Sequence, residues 1–160
     1  MSYRVGYGFD VHQLKEGLPF ALGGIHIKYH KGSLGHSDAD VLIHSICDAL
    51  LGASNLGDIG TNFPDDNDAY KNIDSKILLK KVVELIKEKG FIIINIDSTI
   101  CLENPKISSY ILKMRSVLAD CMNIDSDLIS IKATTTERLG FIGREEGVAA
   151  HATVLIKKDC

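Results

Sequence analysis

Two short stretches of the chain combine residue types that can bind a metal ion. One is Gly-Phe-Asp-Val-His at residues 8–12, and the other is His-Ser-Asp-Ala-Asp-Val-Leu-Ile-His at residues 36–44. Because side chains alternate between the faces of an extended strand, Asp10 and His12 point the same way and form a pair of ligands. His44 falls in an apolar run that predicts a buried helix, which can present its imidazole to that strand. Two histidines and a carboxylate with an open fourth position are a common composition of catalytic zinc sites.

The alternative is that these side chains are separately satisfied polar groups. That reading suits a lone histidine, whereas the Asp-x-His pair joined to His-Ser-Asp-x-Asp and a helical histidine favours a metal site. His36 precedes a predicted helix, whose first backbone N–H groups suit an anion. It is either a phosphate-facing residue or a simple loop imidazole.

A second set of candidate ligands lies at the end of a predicted strand. Residues 134–137 are Thr-Thr-Thr-Glu, which concentrates hydroxyl donors and one hard oxygen ligand and so suits phosphate and Mg²⁺. The alternative is that the threonines reflect β propensity and the glutamate starts a helix. Lys106, where a strand meets a helix, is either a phosphate contact or a solvated lysine.

Length and composition restrict the class of protein. A chain of 160 residues predicts one domain, residues 1–160, and its 45% hydrophobic and 24% charged content is ordinary for a soluble globular protein. No apolar run approaches the ~18–20 residues that span a bilayer. The net charge of −3 argues against a nucleic-acid partner but is compatible with a small anionic substrate.

The cysteines and the N-terminus bear on location. The four cysteines are widely separated and form no Cys-x-x-Cys pair, and Cys47 and Cys121 fall in apolar helical patterns as expected for core residues. A reducing compartment follows. The first residues run directly into a predicted strand and leave no room for a signal or transit segment. We therefore expect a bacterial cytoplasmic protein, and a plastid-type organelle only if a transit peptide has been trimmed.

Periodicity and turn residues predict the order of the elements. Strands are predicted over residues 3–9, 91–102, 129–133 and 148–156, a hairpin over 18–27 turning at Gly23-Gly24, and helices over 40–52, 74–89 and from Ser108. Residues 36–38 are expected to cap the first helix, and loops or turns are expected over 32–35, 56–67 and 140–147. Because strands and helices do not alternate strictly, we expect a two-layer α+β fold, a small mixed sheet with helices on one face. The other face then requires cover, which a symmetric oligomer supplies.

These motifs also resemble a known family. Together with Asp-Ile-Gly-Thr-Asn-Phe-Pro-Asp (58–65), Asn-Pro-Lys (104–106) and Lys-Ala-Thr-Thr-Thr-Glu-Arg-Leu-Gly-Phe-Ile-Gly-Arg-Glu-Glu-Gly (132–147), they resemble in order and spacing the 2-C-methyl-D-erythritol 2,4-cyclodiphosphate synthases of the non-mevalonate isoprenoid pathway. The resemblance covers essentially the whole chain. One departure is Ala39, where many members have Gly, and it touches no proposed ligand.

The resemblance implies an activity and an assembly. The protein would be a homotrimer with its sheets packed around a threefold axis and its active sites between subunits. It would convert 4-diphosphocytidyl-2-C-methyl-D-erythritol 2-phosphate to 2-C-methyl-D-erythritol 2,4-cyclodiphosphate and release CMP. An apolar channel on the axis, with Phe9 and Phe141 in its wall and Arg144 as its cap, would admit an isoprenoid diphosphate. The alternative is that Glu146 alone neutralises the arginines.

The resemblance also implies roles for individual residues. One Zn²⁺ per subunit would be held by Asp10, His12 and His44, and Mg²⁺ or Mn²⁺ by Glu137. His36 and Thr135 would be catalytic, flanking the reacting phosphates. The phosphate and methylerythritol part would meet Asp10, His12, His36, Ser37, Asp58, Ile59, Gly60, Phe63, Pro64, Asp65, Asp66 and Asn67. The cytidine diphosphate would meet Leu102, Pro105, Lys106, Ile107, Ser108, Thr134, Thr135, Thr136 and Glu137 of the next subunit.

The chemistry of such a substrate agrees with these residue types. It carries its own nucleophile, the 2-phosphate, so catalysis rests on positioning and on charge neutralisation by the metals. One rival function is a zinc-dependent phosphohydrolase, in which metal-bound water attacks and the product is linear. Another is a non-catalytic binder of isoprenoid diphosphates with structural zinc. The absence of cysteine from both ligand motifs speaks against the latter.

Overall fold

A mixed five-stranded sheet organises the chain, and the computed structural model describes residues 2–64 and 73–158. The strands are β1 (Tyr3–Glu16), β2 (Phe20–Leu22), β3 (Ile25–Ile27), β4 (Lys31–Leu34), β5 (Phe91–Cys101), β6 (Ile129–Thr134) and β7 (Gly147–Lys158). The helices are α1 (Val41–Ser54), α2 (Ile59–Asn62), α3 (Ser75–Glu88), α4 (Ile111–Met122) and α5 (Gly140–Gly143). Short 3₁₀ turns over Ser108–Tyr110 and Ser126–Leu128 precede α4 and β6.

The strand order in the sheet is β4-β1-β7-β5-β6, and only the β5–β6 pair is parallel. β1 and β7 pair from Tyr3 opposite Lys157 to Gln13 opposite Gly147. β2 and β3 form the predicted separate hairpin, with Gly23 and Gly24 at positive φ in its turn. The predicted α+β class, a small mixed sheet with helices packed on it, is confirmed.

Helix α1 is the centre of the core and lies directly on β1. It is apolar nearly all round, and Leu42, Ile46 and Leu50 are fully buried. Glycines in β1 allow the close approach: a Cβ at Gly6 or Gly8 would lie 1.9 Å from the carbonyl oxygen of Ala49 or Ser45 respectively. Since α1 meets β1 at these two glycines, the turn of α1 that carries His44 lies beside the part of β1 that follows Gly8.

The prediction that residues 36–38 cap α1 is wrong, because Asp40 is the N-cap. Its fully buried carboxylate accepts hydrogen bonds from the backbone N–H groups of Ile43 (3.1 Å), Gly23 (2.9 Å) and Gly24 (2.7 Å). Burial raises the pKa of the Asp40 carboxyl, although the three N–H groups oppose that shift. One residue thus caps the helix and fastens the β2–β3 turn to it.

Other boundaries also differ from the sequence-based expectation. β1 continues seven residues beyond Phe9, so Asp10 and His12 lie within the strand rather than at its end. In place of the expected loop over 32–35, residues 31–34 form β4 and pair with the end of β1. Gly32 is required there because a Cβ would lie 2.0 Å from the carbonyl oxygen of Pro19. Within the expected loops, residues 59–62 and 140–143 form the single-turn helices α2 and α5.

The helix and strand predictions for the second half of the chain are confirmed. Asp74 caps α3 and Gly90 follows its end at positive φ, and Leu78, Val82 and Ile86 form its buried stripe with Leu85 partly buried. In α4, Met114 and Leu118 are fully buried. Cys47 is a core residue as predicted, whereas Cys121 is only partly buried.

One face of the sheet is uncovered in the single chain. Alternate residues of β1 form an apolar row on that face whose members are 42–69% exposed: Tyr3, Val5, Tyr7, Phe9 and Val11. Such a row on a central strand marks an interaction surface, as expected for a symmetric oligomer. Among the described residues, no helix combines the length and the apolar character needed to cross a bilayer.

Candidate active site

Asp10, His12 and His44 converge at one point between β1 and α1. Asp10 Oδ2 lies 3.0 Å from His12 Nε2 and 3.0 Å from His44 Nδ1, and those two nitrogens are 3.1 Å apart. The three side chains retain 25%, 17% and 12% exposure respectively, so the cluster is accessible from one side. The structure therefore brings together the three residues whose spacing predicted a metal site.

The donor set fits a divalent metal ion. Two imidazole nitrogens and one carboxylate oxygen suit zinc and related transition metals, and the accessible side leaves room for a further ligand. Burial alone would raise the pKa of the Asp10 carboxyl, but hydrogen bonds and charge from His12 and His44 hold it well below its usual range. Burial likewise disfavours the charged form of His44, yet Asp10 outweighs it and raises the pKa of that imidazole. When both imidazoles are neutral, the set carries the single negative charge of Asp10, which attracts a cation.

The cluster forms part of the wall of a cavity of about 200 Å³. The cavity is lined by Asp10, His12, His36, Ser37, His44, Ile59, Gly60, Phe63, Ile73 and Leu78. All of these except Ile73 and Leu78 were predicted site residues. Asp58 caps α2 through a 2.7 Å hydrogen bond from the Thr61 N–H, and Pro64 is exposed. The predicted ligands Asp65, Asp66 and Asn67 lie outside the described residues.

Asp48, which is absent from the predicted site residues, anchors Ile59, one of the residues that line this cavity. The carboxylate of Asp48 accepts a 2.8 Å hydrogen bond from the backbone N–H of Ile59. Burial raises the pKa of Asp48, while that N–H opposes the shift. A signal was available, since residues four apart on a helix share a face and Asp48 follows His44 by four.

The predicted cytidine-binding residues form a second cavity of about 180 Å³. It is lined by Leu102, Pro105, Lys106, Ile107, Ser108, Ala133, Thr134 and Thr135. The backbone N–H of Leu102 donates to the Thr134 carbonyl oxygen at 3.0 Å, which holds the two segments together. This cavity has no lining residue in common with the metal-ligand cavity, so the predicted catalytic residues His36 and Thr135 line different cavities of one chain.

Glu137 and Thr136 lie just beyond this second cavity. Glu137 has positive φ, and its Oε1 accepts a 3.3 Å hydrogen bond from the Thr135 hydroxyl. Its side chain is exposed. The backbone N–H of Thr136 donates to Glu103 Oε2 at 3.3 Å. The glutamate expected to bind Mg²⁺ is therefore free to face solvent or a second molecule.

The three residues predicted to form the axial channel are exposed. Phe9 and Phe141 are 46% and 42% exposed, and Phe9 packs on the ring of His151 at 4.9 Å. Arg144 forms a forked ion pair with Glu146, with Nε to Oε1 and Nη2 to Oε2 both 3.0 Å. Glu146 is thus an ion-pair partner of Arg144 within one chain.

Comparison with known proteins places this geometry in context. The model of the YgbB family matches residues 3–157. A 2-C-methyl-D-erythritol 2,4-cyclodiphosphate synthase from Bacteroides fragilis is 65% identical over 158 residues, which cover 99% of each chain. The solved bifunctional IspDF from Campylobacter jejuni is 44% identical with a TM-score of 0.95, and the match covers 98% of this chain and 42% of that one. IspF from Plasmodium falciparum, solved as a CDP complex, is 34% identical with a TM-score of 0.88, over 99% and 98% of the two chains.

Proposed function

Since the chain belongs to the YgbB family and matches its 2-C-methyl-D-erythritol 2,4-cyclodiphosphate synthases, we propose that its two cavities receive the two halves of one substrate. The protein is a cyclising phosphorus-oxygen lyase of the non-mevalonate isoprenoid pathway. It converts 4-diphosphocytidyl-2-C-methyl-D-erythritol 2-phosphate to 2-C-methyl-D-erythritol 2,4-cyclodiphosphate and CMP. The observation that carries the proposal is the cluster of Asp10, His12 and His44 in a cavity wall beside His36 and Ser37.

The reaction is an intramolecular phosphoryl transfer. An oxygen of the 2-phosphate bonds to the β-phosphorus while the bond from that phosphorus to the bridging oxygen breaks, and the bridging oxygen leaves with CMP. No protein nucleophile is required, so the protein contributes positioning and charge neutralisation. A divalent metal held by Asp10, His12 and His44 would supply Lewis-acid polarisation of the β-phosphate.

The side chains of the metal-ligand cavity have matching roles. His36 and Ser37 offer hydrogen-bond donors to phosphate oxygens, and the backbone of Ile59 and Gly60 offers polar groups to the methylerythritol hydroxyls. Phe63 is 7% exposed and closes the apolar side of the cavity, where it excludes water. His36 is the proposed catalytic donor here, and Thr135 is its counterpart in the second cavity.

The cytidine diphosphate half is assigned to the second cavity. Leu102 and Ile107 are buried and form its floor, while Lys106 and the hydroxyls of Thr134 and Thr135 suit phosphate. The CDP complex of the Plasmodium falciparum relative supports a cytidine diphosphate ligand. The exposed carboxylate of Glu137 would hold a Mg²⁺ or Mn²⁺ ion, which would neutralise charge on the diphosphate.

The two cavities complete one site only if they face each other across a subunit boundary. They have no common lining residue, and the apolar row on β1 offers an interface. We assign a homotrimer with its sheets around a threefold axis, each subunit one domain over residues 1–160. Zinc, one ion per subunit, suits a ligand set of two imidazole nitrogens and one carboxylate oxygen. The cytoplasm is the proposed location, in line with the bacterial relatives.

The trimer axis would also bring Phe9, Phe141 and Arg144 of three subunits together, where an isoprenoid diphosphate is the proposed ligand. A diphosphate must compete with Glu146 for the guanidinium. Calorimetry with farnesyl diphosphate on the parent and on Arg144→Ala tests this. Equal affinity in the two proteins would show that Arg144 does not bind the diphosphate. No binding to the parent would show that the channel does not admit this ligand.

The activity is tested by identifying the product. Purified protein is incubated with the diphosphocytidyl substrate and Mg²⁺, and the product is examined by ³¹P NMR. A cyclic diphosphate together with CMP is the expected result. A linear phosphate would instead indicate the phosphohydrolase that uses the same ligands and water as nucleophile.

A further inference from the structure

His44 makes a second set of contacts through Nε2, the nitrogen that faces away from Asp10. His44 Nε2 lies 2.9 Å from the hydroxyl oxygen of Ser75 and 3.1 Å from that of Ser37. Ser75 is the first residue of α3 and is fully buried. Its hydroxyl is hydrogen-bonded to Oδ1 of Asp38, and its backbone N–H donates to Oδ2 of Asp38 at 3.1 Å.

Counting donors and acceptors determines the direction of each bond in this chain. The ionised Asp38 carboxylate can only accept, so the single hydroxyl hydrogen of Ser75 is donated to it. Towards His44, Ser75 therefore offers only a lone pair, and Nε2 must carry the hydrogen that the Ser75 oxygen accepts. While the ring is charged, Nδ1 also carries a hydrogen and donates it to Asp10. Once the ring is neutral, the hydrogen that remains on Nε2 leaves the lone pair on Nδ1, the atom that points to Asp10 and His12.

We infer that Ser75 and Asp38 are positioning residues that fix His44 in the tautomer with Nδ1 free to bind a metal. The inference rests on the proposed metal role of His44. Ligating histidines commonly donate their other N–H to a carboxylate or carbonyl, which sets ring orientation and ligand basicity. Here a buried serine hydroxyl is interposed between the imidazole and the carboxylate.

Through its backbone, Asp38 also ties this set of contacts to Ile73, another lining residue of the cavity. The backbone N–H of Asp38 donates to the Ile73 carbonyl oxygen at 3.1 Å, and Ile73 lines the cavity. Asp38 thereby fastens the start of α3 to the segment that carries His36 and Ser37. Movement of α3 away from this position would break the contact that orients His44.

Ser37 offers a matched control, because its hydroxyl lies at a similar distance from the same nitrogen. Its oxygen already accepts a 3.1 Å hydrogen bond from the Ala39 N–H, and its side chain is partly exposed. No carboxylate contact of Ser37 is present among residues 2–64 and 73–158. Ser37 is therefore free to rotate its hydroxyl hydrogen and imposes no tautomer on His44.

The first experiment measures the tautomer directly on metal-free protein. Imidazole ¹⁵N NMR of the full chain, recorded above the pH at which the ring titrates, is expected to show the His44 hydrogen on Nε2 in the parent and in Ser37→Ala. In Ser75→Ala we expect a shift towards the Nδ1–H form, which can donate to Asp10. An unchanged tautomer in Ser75→Ala would overturn the inference.

The second experiment measures metal affinity by titrating the metal-free proteins with Co²⁺ and following the visible absorption bands. We expect Ser75→Ala to bind about 10- to 100-fold more weakly than the parent and Ser37→Ala to stay close to the parent. A merely structural role for Ser75 would lower the melting temperature of the metal-free protein and leave the Kd unchanged. That result, or equal loss in both variants, would overturn the inference.

Asp38→Asn keeps the test decisive if Ser75→Ala does not fold. An amide NH₂ facing Ser75 would donate to its oxygen, so the hydroxyl hydrogen would turn to His44 Nε2 and reverse the tautomer. Retention of the parent tautomer and Kd in Asp38→Asn would overturn the inference. If the parent binds no Co²⁺, the proposed metal role of His44 fails. The NMR experiment still tests by itself whether Ser75 and Asp38 set the tautomer of His44.

Discussion

The carboxylate of Asp48 accepts a 2.8 Å hydrogen bond from the backbone N–H of Ile59, and Asp48 lies one turn after His44 on α1. One helix thus carries a proposed metal ligand and the residue that anchors α2. This bond ties the first residue of α2 to the helix that carries His44. In the proposed function, this bond positions the substrate groups that Ile59 and Gly60 would hold relative to His44.

Asp48→Ala is expected to lower kcat/KM about tenfold, the effect of losing roughly one hydrogen bond, mainly through a higher KM. Asp48→Asn is the matched control, because its amide oxygen can still accept from Ile59. Steady-state kinetics on the two variants separate them. Equal losses in both would show that the charge of Asp48, rather than its hydrogen bond, is what matters.

His44→Ala is expected to lose bound metal and cyclase activity while the protein stays folded, since the ring is the proposed ligand and lies at a cavity wall. Elemental analysis gives the metal content, and circular dichroism gives the fold. Metal content equal to that of the parent would remove His44 from the ligand set.

Glu137→Gln is expected to shift the Mg²⁺ dependence of turnover to higher concentration, because a neutral amide is a poorer ligand for a hard cation. Zinc content should not change, which distinguishes this variant from His44→Ala. Superimposable Mg²⁺ titration curves for variant and parent would make Glu137 a structural residue.

Mixing two inactive variants tests whether sites lie between subunits. His12→Ala disables the metal-ligand cavity and Thr135→Ala disables the cytidine cavity, so mixed oligomers should contain some intact sites. Activity should return after subunit exchange, which mass spectrometry of differently labelled chains can follow. Demonstrated exchange without recovery would mean that each site is complete within one chain.

Glu145 should make stability depend on pH in the acid range. Its carboxylate accepts from the Asn104 amide (2.8 Å) and the Tyr29 hydroxyl (3.0 Å), which hold the pKa of Glu145 below its usual range. A lowered folded-state pKa stabilises the protein above the ordinary value, and this stabilisation disappears as pH falls through the folded-state value. The stability difference between parent and Glu145→Gln should be full at neutral pH and shrink below about pH 4.5. A difference that does not vary with pH would exclude the carboxylate charge as its source.

The cluster of Asp10, His12 and His44 could be predicted from sequence because strand alternation is a strict geometric rule and the helix carrying His44 is strongly apolar. Strand β4 could not be predicted and was expected as a loop over 32–35, since β4 exists only because β1 continues far enough to pair with it. Helix capping was misassigned for a related reason. Asp40 caps α1 in place of Ser37 or Asp38, and its carboxylate also accepts hydrogen bonds from the N–H groups of the β2–β3 turn. That second contact is tertiary and is not visible in the local sequence.

The supporting residues of the site were harder to find than its ligands. Ser75 carries no signal beyond following the Asp74 cap, and only the packing of α3 against α1 brings it to His44. Asp38 was visible in a motif, but its role depends on that same packing. Local pattern thus identifies groups that touch ligands, whereas groups that orient them become visible only in three dimensions.

The pairing of β1 with β7 has a consequence for the synthesis of the protein. The second strand from one edge of the sheet is the first made, and its neighbour at the centre is the last. During translation, the apolar residues of β1 are made well before their pairing strand β7, which begins more than a hundred residues later in the chain. Such long-range closure is slow compared with local contacts, and an unpaired apolar strand is prone to aggregate. Shielding of this strand during translation is therefore expected to raise the yield of folded protein.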